Sequence, residues 1–185
     1  MDTQKLLDLE AKGCFDFFWN EANTDKNCPG DGLILDQSAN KKVASIASNG
    51  FGLTAIIIGI ERGWITKEEG YERTKGTLET FLNNVEHASG FFYHFLNMET
   101  AKKNEEWYDC ASIIDTGIFL CGAVTSAEYF GGEIAELFEK IYARIDWNVY
   151  YDEPVNQFYM GYNPETGGFH HWDMYAEQMM TYVLG

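Results

Sequence analysis

Basic side chains are scarce in this chain. Thirteen Lys and Arg stand against 29 Asp and Glu, a formal charge of −16. A surface of that sign does not gather phosphates, which excludes nucleic acid and anionic membrane as partners and leaves a neutral or cationic ligand. Proline is nearly absent, with three in 185 residues. No linker or low-complexity tract interrupts the chain, so a single domain with a sizeable core is expected over residues 1–185. Cysteines are few and scattered, at 14, 28, 110 and 121. None has C-x-x-C spacing, so neither a zinc nor a redox site is indicated. Cys14 and Cys121 lie in apolar runs and read as small core residues. The four histidines, two adjacent at 170 and 171, lack helical metal spacing, and no metal or cofactor is expected. G-x-x-x-x-G-K-[ST], G-x-G-x-x-G and G-x-S-x-G are all missing, which removes support for nucleotide binding and serine hydrolysis. No stretch is expected to span a membrane, and the first residues, Met-Asp-Thr-Gln, carry no basic and apolar leader pattern.

What the chain does have is aromatic residues, at 16%, and an internal repeat. Residues 112–130, Ser-Ile-Ile-Asp-Thr-Gly-Ile-Phe-Leu-Cys-Gly-Ala-Val-Thr-Ser-Ala-Glu-Tyr-Phe, read as a helix that is apolar on nearly every side and therefore buried all round. Residues 45–63 repeat it without a gap at an offset of 67 (112 minus 45), with Ser45/Ser112, Ile46/Ile113, Gly50/Gly117, Leu53/Leu120 and Glu61/Glu128 identical. The register runs on through Glu69/Glu136 and Glu72/Glu139. Such self-similarity implies a repeated unit of buried helix, turn, acidic amphipathic helix and aromatic loop. The inner members are expected over 45–62 and 112–130, the outer ones over 66–85 and 133–145.

Local signals fill in the rest. Residues 3–22 carry apolar positions at three- and four-residue steps with Thr3 as the expected cap. Thr66-Lys67-Glu68-Glu69 is a capping box that opens the first outer helix. Gly90-Phe91-Phe92-Tyr93-His94-Phe95-Leu96 reads as a strand pairing near Trp107. Residues 158–162 and 168–172 flank an Asn-Pro-Glu-Thr-Gly turn and form a hairpin. A last helix is expected from Asp173. About six helices in consecutive pairs stack side by side or close into a ring.

The chemistry-bearing candidates are carboxylates beside apolar or aromatic residues. Asp115 sits in the first turn of a buried helix, where an unpaired carboxylate would cost several kcal/mol, on the order of any uncompensated buried charge. It either serves the helix terminus or faces a wet cavity. Asp173 and Glu177 are four apart, on one face of the expected helix, with Asp173 as its cap. Glu177 lies between apolar residues and reads either as a paired structural carboxylate or as an acid of the kind a glycoside hydrolase needs. Asp36 and Asp109 are the remaining candidates, and Trp, Tyr and Phe in the loops supply platforms for sugar faces.

Several segments in order, Ser45-Ile-Ala-Ser-Asn-Gly-Phe-Gly-Leu-Thr-Ala, Glu61-Arg-Gly-Trp-Ile, Gly90-Phe-Phe-Tyr-His-Phe, Ser112-Ile-Ile-Asp-Thr, Glu128-Tyr-Phe, Asp146-Trp and Trp172-Asp-Met-Tyr-Ala-Glu-Gln-Met-Met, resemble the bacterial glycoamylase-like (glucoamylase-like) domain, a family that includes endo-β-1,2-glucanases. The resemblance implies an all-α fold, part of an (α/α)6 toroid of inner and outer helices with short β-hairpins in the loops. It implies hydrolysis of a glucan between two carboxylates, with inversion, no cofactor, and a periplasmic or secreted setting. It places Glu177 as general acid and Asp109 and Asp115 in the catalytic or binding cluster; Asp36, Trp107, Trp147, Trp172, Asp173 and Tyr175 are the expected substrate contacts. Six helix pairs at this repeat length need roughly 400 residues, so the chain resembles the N-terminal half of such a domain. A truncated toroid is expected to lack the second catalytic carboxylate and to self-associate through its open side. A non-catalytic carbohydrate-binding module on the same scaffold stays open as an alternative. A prenyl cyclase would need an Asp-rich run for Mg²⁺-diphosphate, which is missing, and an epimerase would lean on histidines, which are few.

Overall fold

The computed structural model describes residues 2–105 and 110–185. Six α-helices carry the described chain: α1 (Thr3–Asn20), α2 (Ile46–Glu61), α3 (Lys67–Asn83), α4 (Ile113–Phe130), α5 (Gly132–Tyr142) and α6 (Thr181–Leu184). α2 and α4 are the apolar inner pair, α3 and α5 the acidic outer pair, as the repeat predicts. Each inner helix starts on a serine cap: the Ser45 hydroxyl accepts from Ser48 N at 3.1 Å, and that of Ser112 from Asp115 N at 3.2 Å. The capping box of α3 is present in both directions, Glu69 N to Thr66 Oγ1 at 3.1 Å and Thr66 N to Glu69 Oε2 at 2.7 Å.

The helices of each layer run parallel. Gly50, early in α2, packs on the backbone of Ile118 and Phe119, early in α4. Tyr129, at the other end of α4, donates to Glu61 Oε1 at the end of α2, at 2.6 Å. In the outer layer, Lys75 and Tyr71 of α3 reach Glu133 at the start of α5, at 2.8 and 3.1 Å. Arg144, just past α5, donates to the carbonyls of Phe81 and Leu82 at the end of α3, at 2.6 and 2.9 Å. Between the layers, Leu53, Leu78, Phe81, Phe92, Phe119, Leu120 and Ile134 are sealed from solvent. Phe81 and Phe119 stack with centroids 3.9 Å apart.

Short strands join the layers. β1 (Val43–Ser45) pairs with β4 (Phe95–Asn97), and β2 (His87–Ala88) with β3 (Phe91–Phe92). The aromatic segment 90–96 divides its strand pairing between β2 and β1, and it also bridges residues flanking Trp107, Tyr93 to Ala111 and Leu96 to Lys103, as expected; Trp107 itself lies outside the described residues. β5 (Ala111–Ser112), β6 (Tyr151–Asp152) and β8 (Gly167–His171) all pair antiparallel with β7 (Gln157–Asn163), and β7–β8 is the expected hairpin.

Four expectations need correction. Asp2, not Thr3, occupies the cap position of α1, and it makes no side-chain capping bond. Cys14 is exposed on α1 instead of serving the core. The inner helices are not buried all round. Ala47, Phe51, Thr54, Ile58 and Glu61 of α2, and the positions one repeat later, Ile114, Ile118, Cys121, Thr125 and Glu128 of α4, form one incompletely buried face on each helix. Part of that shared face, Phe51, Thr54, Ile118, Cys121 and Thr125, lines a groove between the two helices, called the concave face below. Finally, α4 has the length and composition to cross a membrane, contrary to expectation, yet most of it is packed inside the protein as a core helix.

Candidate active site

Parallel inner helices bring their N-termini to one end of the molecule, and the first polar cluster forms there. Ser112 caps α4, and its hydroxyl donates to Asp115 Oδ2. Asp115 is buried at 7% exposure, so the serine bond and the positive end of the helix dipole are what make the carboxylate tolerable there. Its other oxygen, Oδ1, lies 3.7 Å from His94 Nε2. Asp115 thus sits in the first turn beside the Ser112 cap and faces a half-exposed histidine. His94 is held by its main chain, with its N–H donating to Cys110 O at 3.2 Å and its carbonyl accepting from Ile46 N at 3.1 Å. Its ring stacks on Phe95 with centroids 3.9 Å apart. Ser48 occupies in α2 the position of Asp115 in α4 and lies 3.2 Å, oxygen to oxygen, from the Ser45 hydroxyl. Asn49, fully buried, ties the strand-like segment 33–35 to α2 by accepting from Ile34 N at 3.2 Å and donating to Ser45 O at 2.8 Å. This segment delivers Asp36, whose N–H bonds Val43 O at 2.9 Å.

Glu177 lies outside this cluster. A groove of about 360 Å³ follows the concave face between α2 and α4, lined by Phe51, Thr54, Ile118, Cys121, Glu177 and Met180 among others. Glu177 is exposed at the edge of this mostly apolar groove. Its helix differs from expectation. Residues 173–176 are extended or bent, and a 3-10 turn begins only at Glu177, leading into α6. Asp173 is therefore no cap, and Asp173 and Glu177 do not share a helix face. Met174 and Tyr175 are 66% and 90% exposed. Helices in proteins are held mainly by a packed face, and this segment has none.

The aromatic candidates divide. Trp147 packs edge-on against Phe91 at 5.3 Å and near Phe158 at 6.1 Å, so its indole is part of the core margin. Trp172 is half-buried and lines a second depression with Gln157, Met160, His170, His171, Asp173 and Met174. Behind it, Asp152 Oδ2 holds His171 Nε2 at 2.8 Å. Tyr175 projects fully into solvent. Trp107 and Asp109 lie outside the described residues. Among the described residues no three His, Cys, Asp or Glu side chains converge as a metal site. The residue that sequence reading left out of the site is His94. Its signal was a lone histidine inside an aromatic strand, two repeat elements away from the aspartate it meets.

Two parallel inner helices backed by two parallel outer ones, with a polar mouth at the inner N-termini, define part of an (α/α)6 toroid of the glucoamylase-like kind. The comparisons agree. The chain is 28% identical, over 200 aligned positions, to an exo β-1,2-glucooligosaccharide sophorohydrolase (non-reducing end) of Parabacteroides distasonis, covering 100% of this chain and 26% of that protein. A glucoamylase-like protein of Bacteroides uniformis superposes with a TM-score of 0.86 at 26% identity, over 100% of this chain and 46% of that one. A β-1,2-glucanase of Parabacteroides distasonis superposes with a TM-score of 0.86 at 25% identity, over 100% of this chain and 27% of that one. No family model matches the sequence. The chain thus spans between about a quarter and just under half the length of the proteins it resembles.

Proposed function

We propose that this chain forms one wall of the catalytic cleft of a glycoside hydrolase acting on β-1,2-linked glucooligosaccharides. The observations that support the reading are two acidic positions: buried Asp115 facing His94 at the helix mouth, and exposed Glu177 on the apolar groove between α2 and α4. An inverting mechanism needs one carboxyl to protonate the leaving oxygen and another to activate water, about 6.5–9.5 Å apart. In this reading Glu177 is the general acid, standing where an apolar wall and a sugar face meet. Asp115 and His94 bind and orient the saccharide at the mouth, and Asp36, Trp172 and Asp173 extend the contact. The base is assigned to residues beyond this span, so the 185 residues alone hydrolyse glucan slowly.

The test is reducing-sugar release from β-1,2-glucan and from starch by the protein carrying all its segments. Glu177→Gln is expected to lower kcat by about 10²–10⁴, the usual contribution of a general acid. Asp115→Asn is expected to raise KM. Wild-type kinetics in both variants, or preference for starch, would overturn the assignment.

A further inference from the structure

In so acidic a protein most cations should find carboxylates, and several do. Lys12, Lys26, Lys41, Arg62 and Lys75 are all ion-paired. Lys5, Lys67, Arg73, Lys140 and Arg144 have no carboxylate within ion-pair distance among the described residues, and neither do Lys42, Lys102 and Lys103. These three line one cavity of about 420 Å³, together with Asn40, Asn97, Thr100, Asn104 and, as the one acid among the described lining residues, Glu105.

The walls of this cavity are built firmly. Lys42 precedes β1, and its carbonyl accepts from Met98 N at 2.9 Å. Lys102 and Lys103 follow a tight turn in which Asn97 Oδ1 accepts from Glu99 N and Thr100 N at 2.9 and 3.0 Å. Ala101, fully buried, holds the left-handed conformation at φ 57° in that turn. Asn97 N closes the loop on Lys102 O at 2.8 Å. The ammonium groups keep free capacity. Lys102 donates one bond, to Asn84 O at 3.3 Å, and Lys103 lies over the Tyr93 ring at 5.2 Å. Each ammonium has three donors, so most of them remain available.

We propose that this cavity binds a compact oxyanion: a carboxylate, sulfate or phosphate group, either free or carried on a saccharide. Three like charges around one space repel one another, and an anion seated among them removes that repulsion while accepting charge-assisted hydrogen bonds. Asparagine and threonine side chains supply neutral bonds beside the charged ones. The size is limited by the rest of the protein. A polyanion lying across this site would reach within a Debye length, about 8–10 Å, of a surface carrying strong negative charge. A single anionic group is therefore accepted and nucleic acid is not. The inference is independent of the glucan reading, because it rests on the lysine cavity alone.

Binding is measured by calorimetric or NMR titration at low ionic strength, with inorganic phosphate, glucuronate and, as the neutral control, glucose. Saturable binding of phosphate or glucuronate at millimolar concentration or below is expected. Binding of phosphate without glucuronate identifies a free anion. Binding of glucuronate without glucose identifies an acidic sugar. The combined variant K42Q, K102Q and K103Q should weaken either interaction at least tenfold, while Lys5→Gln leaves it unchanged. All three substituted lysines are exposed, so an unchanged thermal midpoint will confirm that the variant is folded. Failure of both anions to bind the wild-type protein, or equal binding by the combined variant, would overturn the proposal.

Discussion

Gly50→Ala probes a close backbone-to-backbone approach of the two inner helices. A Cβ at that position would lie 2.5 Å from Ile118 O and 2.7 Å from both Ile118 C and Phe119 Cα. Carbon contacts sit near 3.5–4.0 Å, so the two inner helices must separate by about 1 Å. The obstruction is backbone, with no side-chain rotamer to yield. Overpacking costs about 1–3 kcal/mol, and the rigid obstruction places this case at the upper end. Alanine returns about 1 kcal/mol through helix propensity. The net loss is about 2 kcal/mol, or about 4–8 °C in Tm for a chain of this size. A matched control exists in Gly13→Ala. Gly13 lies inside α1 with nothing within 4 Å of the added Cβ, so the same substitution should stabilise there by up to about 1 kcal/mol. Urea unfolding of both variants, with m unchanged, gives the comparison. If Gly50→Ala is as stable as wild type while Gly13→Ala behaves as expected, the helices do not pack at this distance.

Thr66→Ala removes the hydroxyl that accepts from Glu69 N, one half of the α3 capping box, and should cost about 1 kcal/mol in urea unfolding. A loss under a few tenths would mean that the box does not form in solution. His87 is held below the usual imidazole pKa by burial and then by the Arg144 charge, and its Nδ1 accepts from Gly90 N at 3.2 Å. The unfolded chain binds this proton more readily than the native one. Stability is therefore full above the unfolded pKa of about 6.5 and declines as pH falls through that value toward the native one. The pH dependence of the urea midpoint over that interval should flatten in His87→Asn. An unchanged slope would remove His87 from the account.

The repeat was the most informative feature of the sequence. The identities at Ser45/Ser112 mark two real helix caps, and the 67-residue offset also matches the exposed face of α2 to that of α4 position by position. The capping box was readable because its two bonds are local. The segment after Trp172 was not. Asp173 has the residue type of a cap and Met174, Tyr175 and Glu177 suit a helix, but no neighbour covers them, and short helices without a packed face do not persist. Cys14 misled for a related reason: its apolar surroundings are real, but they form an open groove of about 320 Å³ with Phe15, Phe18, Phe51 and Ile58. His94 escaped notice because its approach to Asp115 depends on the β3–β4 connection and α4 meeting in space, which no local spacing encodes.

The most direct test of the toroid-wall account maps where a β-1,2-glucooligosaccharide touches the chain. Amide shifts of the isotope-labelled protein are followed on titration with the sugar. The account predicts changes concentrated at the mouth and concave face, at Ser48, His94, Asp115, Thr54, Ile118 and Glu177. The outward positions Glu68, Glu72, Glu136 and Glu139 of α3 and α5 should stay still. Changes confined to those outer helices, or none at saturating sugar, would contradict it.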